Sequence, residues 1–312
     1  MVSPNTEVFL VILILEGIVG LFSSLSMIAC LSAKEFQKKN LMTYSKILIP
    51  QNVSTLCYTI GMSINFYISF LWPELNYMAS VFYTVLYMNL YSITSSLWLS
   101  SVLCVFYFMK IIPSQPGVFT ALKSRIDAVV RWLIILSEVL SLGGSFLSLL
   151  IPNLQINPSN SSLPTSNGRD WTDMTFMETV LILNSLPFLI IMMTSIGSAW
   201  FLRLYNFQIQ KNLATSGMSG VRGYRAAFQT MVRLLVFHIS VLFSIIIFTL
   251  NVFGYPSWGY WVCVMFLFSF SPVLSVLHII GNPKLKECFL QMFPSRVGSG
   301  DGCLYNEKES EL

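Results

Sequence analysis

Residues 8–39 read VFLVILILEGIVGLFSSLSMIACLSAKEFQKK, an apolar run to Ser32 broken only by the charge of Glu16 and then closed by Lys34, Lys38 and Lys39. At ~1.5 Å rise per residue such a run crosses ~30 Å of hydrocarbon as a helix. A helix is required there, because lipid offers no partner to an unpaired backbone N–H or C=O. The basic cluster that follows marks the cytoplasmic end, so the chain enters from outside. The run is no cleavable signal peptide, since no positive charge precedes it and its basic residues come after it.

Six more stretches of this kind follow, at 47–71, 79–109, 128–151, 176–202, 229–254 and 258–281. Threaded alternately, they place every Lys and Arg except Arg169 on one side. The expected architecture is all-α: a seven-transmembrane helix bundle of the G-protein-coupled receptor type, N-terminus outside and C-terminus inside. Composition agrees, with 54% AVILMFWYC residues and only 10% charged against about 25% charged in soluble domains. One receptor domain, 1–294, fills the chain, and a Gly-, Ser- and acid-rich tail, 295–312, reads as disordered. The net charge of +4 belongs to helix flanks that meet inner-leaflet lipid or an intracellular partner, and does not point to nucleic acid.

The tail opens with Asn282 as a helix cap and Pro283 at the first helical position, where no amide donor is needed. Leu285, Cys288, Phe289, Met292 and Phe293 then recur at helical spacing, which reads as a short amphipathic helix in the inner interface. Cys288 is a candidate for palmitoylation or a simple packing thiol. Cys30, Cys57, Cys104 and Cys263 lie in spans and read as small apolar packing residues. Asn160-Ser161-Ser162 in the long outer segment is a glycosylation sequon.

Polar groups within spans are costly and often mark function. Glu16 and Glu138 have no intramembrane basic partner, so each is protonated or hydrogen-bonded to serine or backbone. His238 and His278 lack the carboxylates or thiols of a metal site and read as satisfied structural histidines. No cofactor is implied. Ser145 and His238 raise the question of an intramembrane protease dyad. Their positions along parallel helices leave ~15 Å between them in depth, where nucleophile and base need to be near 3 Å apart. Gly143, Gly144 and Ser145 are better read as a small-residue patch for close helix packing. No internal repeat of the transporter kind is evident.

The stretch Leu97-Trp98-Leu99-Ser100-Ser101-Val102-Leu103-Cys104-Val105-Phe106-Tyr107-Phe108-Met109-Lys110-Ile111 resembles the third-helix signature of the bitter (type 2) taste receptors. Phe119, Leu122-Lys123 and Arg125-Ile126 resemble that family's second inner loop, and Gly281-Asn282-Pro283-Lys284-Leu285-Lys286 its seventh-helix ending. Glu16 with Gly20 matches its first-helix E-x-x-x-G, and Pro187-Phe188 is similar to the opening of its fifth helix. The chain departs at Phe22-Ser23-Ser24 and at Gln51-Asn52-Val53-Ser54-Thr55, where the family's second-helix arginine is missing. Tyr205, Tyr224 and Leu274 stand where family histidines are usual. A divergent member is implied, with a non-mammalian lineage as one reading. Vomeronasal type 1 (pheromone) receptors share the overall plan and are the alternative, with a small-molecule transporter a more distant one.

The resemblance implies a receptor, not an enzyme, at the plasma membrane. A small, mostly apolar agonist would enter a cavity between spans three, five, six and seven. Ligand contacts implied by alignment are Asn89, Ile93 and Thr94 in the third span and Met265 and Phe268 in the seventh. Phe248 and Asn251 are offered by the sixth. A heterotrimeric G protein would meet Lys123, Arg125, Tyr205, Gln208 and Lys211, with Gly217-Met218-Ser219-Gly220 loosening the third inner loop. Pro272 removes a backbone bond and can kink the last span.

Overall fold

A computed structural model describes residues 4–37, 43–76, 78–111, 125–155, 174–211, 219–250, 252–253 and 257–292. We call the Lys- and Arg-rich end of the bundle the inner end. Among the described residues the helices are α1 (Pro4–Gln37), α2 (Thr43–Leu71), the short α3 (Pro73–Asn76), α4 (Ala79–Ile111), α5 (Ile126–Gln155), α6 (Met174–Lys211), α7 (Ser219–Thr249), α8 (Trp258–Phe268), α9 (Phe270–Gly281) and α10 (Pro283–Met292). The spans are α1, α2, α4, α5, α6, α7 and the pair α8–α9.

Five of these helices, and α8–α9 taken as one, are long and apolar enough to cross a membrane. Helix α2, with 29 residues, is long enough at ~1.5 Å per residue but more polar, because it carries Gln51, Asn52, Ser54, Thr55 and Thr59, all buried. Its polar side chains point into the bundle, so they tax lipid exposure little. The outward faces are apolar instead: Val8, Val11, Leu15, Ile18, Val19, Phe22 and Leu25 form a continuous exposed stripe along α1. Trp132, Trp200 and Trp258 are exposed towards helix ends, the position of interfacial tryptophans.

Helix α4 is the hub. In its most apolar stretch 72% of residues are inside the bundle, against 22–33% in α1, α5, α6 and α7. It packs on α2, α5, α6 and α7, while α1 packs on α2 and on both halves of the last span. Close approaches are made at glycines: a Cβ on Gly197 would lie 2.9 Å from the Phe108 ring, and one on Gly144 3.2 Å from the Leu183 side chain. The expected small-residue patch is therefore real at Gly144 and at buried Ser145, but a Cβ on Gly143 would meet nothing within 4 Å. Gly143 is exposed, about 100° round the helix from buried Gly144.

Several boundaries differ from the sequence reading. The sixth span ends at Thr249, not at 254, and Leu250, Val252 and Phe253 form a turn and bends after it. Ser219 and Gly220 open α7 instead of loosening a loop. Pro187 lies inside α6 rather than at its start, since the first helical turns precede it from Met174. The last span is bent by 44° at Ser269. Pro272 has no N–H to give to the Phe268 carbonyl, one turn back, and a break there is the expected result. The Tyr58 hydroxyl of α2 donates to the Leu267 carbonyl at 3.2 Å, giving a carbonyl at the break a partner inside the bundle.

Candidate functional site: a polar ladder beneath an apolar outer half

Hydroxyls, one amide and one carboxyl group link five spans at mid-depth. Tyr91 Oη donates to Glu138 Oε2 at 2.7 Å, and Ser95 Oγ donates to Oε1 at 2.9 Å. Tyr91 and Ser95 stand one turn apart on α4, so both reach the same carboxyl on α5. The Ser54 and Ser95 hydroxyls are 2.8 Å apart. Ser54 Oγ of α2 also donates to the Pro50 carbonyl at 3.0 Å. One turn further in, Gln51 Nε2 donates to Ser100 Oγ at 2.7 Å, and Ser100 in turn donates to the Ser96 carbonyl at 2.9 Å.

The ladder continues into the first and last spans. Ser24 and Ser271 hydroxyls are 2.8 Å apart, and Ser24 lies 3.5 Å from the Thr55 hydroxyl. Ser271 also reaches the Gly20 carbonyl at 3.4 Å. A Cβ on Gly20 would lie 3.1 Å from Thr59 and 3.5 Å from Pro272 Cδ. That glycine therefore admits the bent last span against α1 and α2. In a membrane, packing and hydrogen bonds of this kind replace the hydrophobic drive that holds soluble bundles. Glu138 is thus satisfied by tyrosine and serine, as the sequence allowed. Glu16 keeps one buried carboxyl oxygen without a protein partner.

The histidines fit their expected role only in part. His238 Nδ1 is 2.7 Å from the Leu234 carbonyl. Its Nε2 and both ring nitrogens of His278 have no protein partner, so "satisfied" holds for one nitrogen of the four. Ser145 and His238 stand on α5 and α7, and each helix packs on α4 and α6. Among the described residues there is no group of three or more His, Cys, Asp or Glu side chains that could hold a metal ion.

Towards the outer end the lining turns apolar. Leu13, Trp261, Val264 and Phe268 form a second buried cluster, with Phe9, Met62, Phe66, Tyr260 and Met265 packed against it. Phe9 stacks on Trp261 at 5.6 Å, and Phe66 meets Phe268 edge-on at 5.9 Å. A cavity of about 100 Å³ opens beside them between α1, α2 and Phe268, floored by Gly17 and Ser63. Asn89 lies in the outer half of α4, half-buried, with its Oδ1 buried and without a protein partner. That oxygen rests against Gly61 of α2, where any side chain would collide with it.

At the inner end, Thr43 and Lys46 of α2 reach Asp127 in the first turn of α5, the Lys46 ammonium at 4.0 Å. Tyr44 packs on Tyr107 with ring centroids 6.0 Å apart and also interacts with Asn282. A Cβ on Gly281 would lie 2.7 Å from Thr230 Cγ2. Asn282 takes extended backbone angles, and its carbonyl accepts from Leu285 and Lys286 N–H at 3.0 Å. The Gly281–Lys286 stretch is thus the place where the second, sixth and seventh spans converge.

The family model for taste receptor proteins (TAS2R) matches residues 1–296. The chain belongs to that family. It is a receptor of the taste receptor type 2 kind, and not an enzyme. It is 24% identical to taste receptor type 2 member 40 of Gallus gallus over 286 residues, covering 89% of this chain and 91% of that one. It is 25% identical to member 8 of Pongo pygmaeus over 318 residues, with 94% and 97% covered. Member 39 of Homo sapiens matches at 21% over 292 residues, with 91% and 85% covered.

Of the ligand-contact residues expected from sequence, five have described side chains. Met265 and Phe268 face the α1–α2 side, and Asn89 rests on α2. Ile93 packs against the main core and Thr94 is buried. Arg125 is exposed at the start of α5. Phe248 lies on α7, and Tyr205, Gln208 and Lys211 on the inner end of α6, with side chains outside the described residues. Lys123, Asn160, Asn251 and the tail 295–312 also lie outside them. Sequence reasoning missed the ladder. Its signal was present as Tyr91 and Ser95 at i and i+4, facing an unpaired intramembrane glutamate.

Proposed function

We propose that this chain is a multi-pass plasma-membrane receptor, N-terminus extracellular, that binds small, mostly apolar bitter compounds and activates a heterotrimeric G protein. The agonist enters the outer half of the bundle, above the ladder and beside the third span. One observation carries the siting: Asn89 Oδ1, in the outer half of the hub helix, is a buried acceptor with no protein partner. A buried polar group without a partner costs free energy, and a ligand hydroxyl or N–H donating to it offsets that cost. Ile93, Thr94, Phe248, Asn251, Met265 and Phe268 supply the remaining contact area, and the flexible methionine suits a receptor that accepts varied compounds.

Binding acts by favouring one arrangement of the bundle over another. Gly281 against Thr230 is the tight inner contact between the sixth and seventh spans, so it is a natural place for the two arrangements to differ. Lys123, Arg125, Tyr205, Gln208 and Lys211 then meet the G protein. The test is calcium release in cells that co-express the chain with a promiscuous G protein, during a bitter-compound screen. A dose-dependent response is expected, moved to higher concentration in Asn89→Ala at equal surface expression. Equal potency in wild type and Asn89→Ala would remove Asn89 from the site.

A further inference from the structure

We propose that Cys30 and Cys288 form a redox-closable dithiol that latches the juxtamembrane helix to the first span. The two residues are 258 positions apart in sequence, yet their sulfurs touch in the structure and their Cα atoms are 6.3 Å apart. That separation falls within the ~4.4–6.8 Å that disulfides span. Cys30 is fully buried, and Cys288 is half-buried on the face of α10 that also carries buried Leu285. Leu31, Leu285 and both cysteines belong to one packed cluster, so the pair is held in register by packing on either side. Cys57, Cys104 and Cys263 have no such partner.

The latch rests on the orientation proposed above, which puts both residues at the cytoplasmic end. Thiols there are kept reduced, so the resting pair is a dithiol and the closed form appears under an oxidant of the peroxide class. The more accessible Cys288 attacks the peroxide oxygen as thiolate, giving a sulfenic acid and water. The Cys30 thiol attacks that sulfur and releases a second water, so two thiols and one peroxide give a disulfide and two waters. Both electrons come from the thiols and pass to the peroxide. Thiol reductants of the glutathione or thioredoxin class reopen it by exchange. Closure also removes the only described thiol on α10 from acylation, so the closed latch and S-palmitoylation exclude one another. Closed, it pins α10 to α1 beside the Gly281–Lys286 convergence and should restrain the inner end.

The experiment uses membranes holding the full chain. Hydrogen peroxide is applied, free thiols are blocked with N-ethylmaleimide, and tryptic peptides are read by mass spectrometry. The expected result is a peptide pair joining the fragment that ends at Lys34 to the one that begins at Glu287. It should be scarce before peroxide, severalfold more abundant after it, and absent after dithiothreitol or in Cys30→Ser. Both cysteines carrying N-ethylmaleimide after peroxide would overturn the proposal, as would Cys288 joined to Cys303. A pair fully linked before peroxide, in cells blocked before lysis, would overturn the resting dithiol. The readout needs neither agonist nor G protein, so it can fail or succeed independently of the receptor assignment.

Discussion

Replacing Gly281 with alanine tests the tightest helix–helix contact at the inner end. The added Cβ would lie 2.7 Å from Thr230 Cγ2 and 2.8 Å from Thr230 Oγ1. Carbon atoms in favourable contact are ~3.5–4.0 Å apart, so the shortfall is about 1 Å. Thr230 is 1% exposed and β-branched, hence stiff about its first side-chain torsion, and cannot simply swing away. Either the sixth and seventh spans separate or the threonine leaves its rotamer, and overpacking of this kind costs about 1–3 kcal/mol. With about 2–4 °C lost per kcal/mol in chains of 150–250 residues, detergent-solubilised Gly281→Ala should unfold roughly 2–12 °C below wild type. In Thr230→Ala the nearest remaining atom is Cβ, 3.3 Å away, so the second substitution should recover most of the loss. A double-mutant cycle read by thermal unfolding then gives a compensating coupling of about 1 kcal/mol or more. Unchanged stability in Gly281→Ala, or a loss of the same size whichever residue occupies 230, would refute the contact.

Glu138→Leu removes the acceptor for Tyr91 and Ser95, and at ~0.6 kcal/mol per interhelical bond the loss is about 1 kcal/mol; once it is made, Tyr91→Phe should cost nothing further in the same thermal assay. Asp127→Asn breaks the contact with Lys46 and should change stability by less than ~1 kcal/mol, because the two side chains are 25% and 60% exposed; a larger drop in thermal unfolding would contradict that. Asn160→Gln should abolish a glycosidase-sensitive mobility shift on gels, and a persistent shift would assign the glycan elsewhere.

How much of this was legible in sequence depends on the range of the interaction. Span positions were, because apolar length and flanking charge are local: the third span was expected at 79–109 and runs Ala79–Ile111. The break in the last span was foreshadowed by Pro272, whose missing N–H is also local. The fifth span was expected from 176 and α6 begins at Met174; only the likeness of Pro187-Phe188 to a helix opening misled, since proline inside an intramembrane helix is tolerated when neighbours meet the freed carbonyl. Which of two adjacent glycines makes the close contact depends on helix rotation, and so Gly144 could not be told from Gly143. The pairing of Cys30 with Cys288 depends on how the first span meets α10, which no local pattern encodes. The family's second-helix arginine is missing from this chain. The ladder from Ser271 through Ser24, and from Ser54 through Ser95 to Glu138, shows that hydroxyls and one carboxylate bridge these spans without it.

The most direct test of the receptor account is agonist-stimulated nucleotide exchange on a heterotrimeric G protein reconstituted with the purified chain, using compounds that elicit calcium release in cells. The account predicts exchange that rises with agonist, saturates, and shifts to higher concentration in Asn89→Ala. Exchange that is indifferent to agonist, with receptor folded and compound bound, would contradict it.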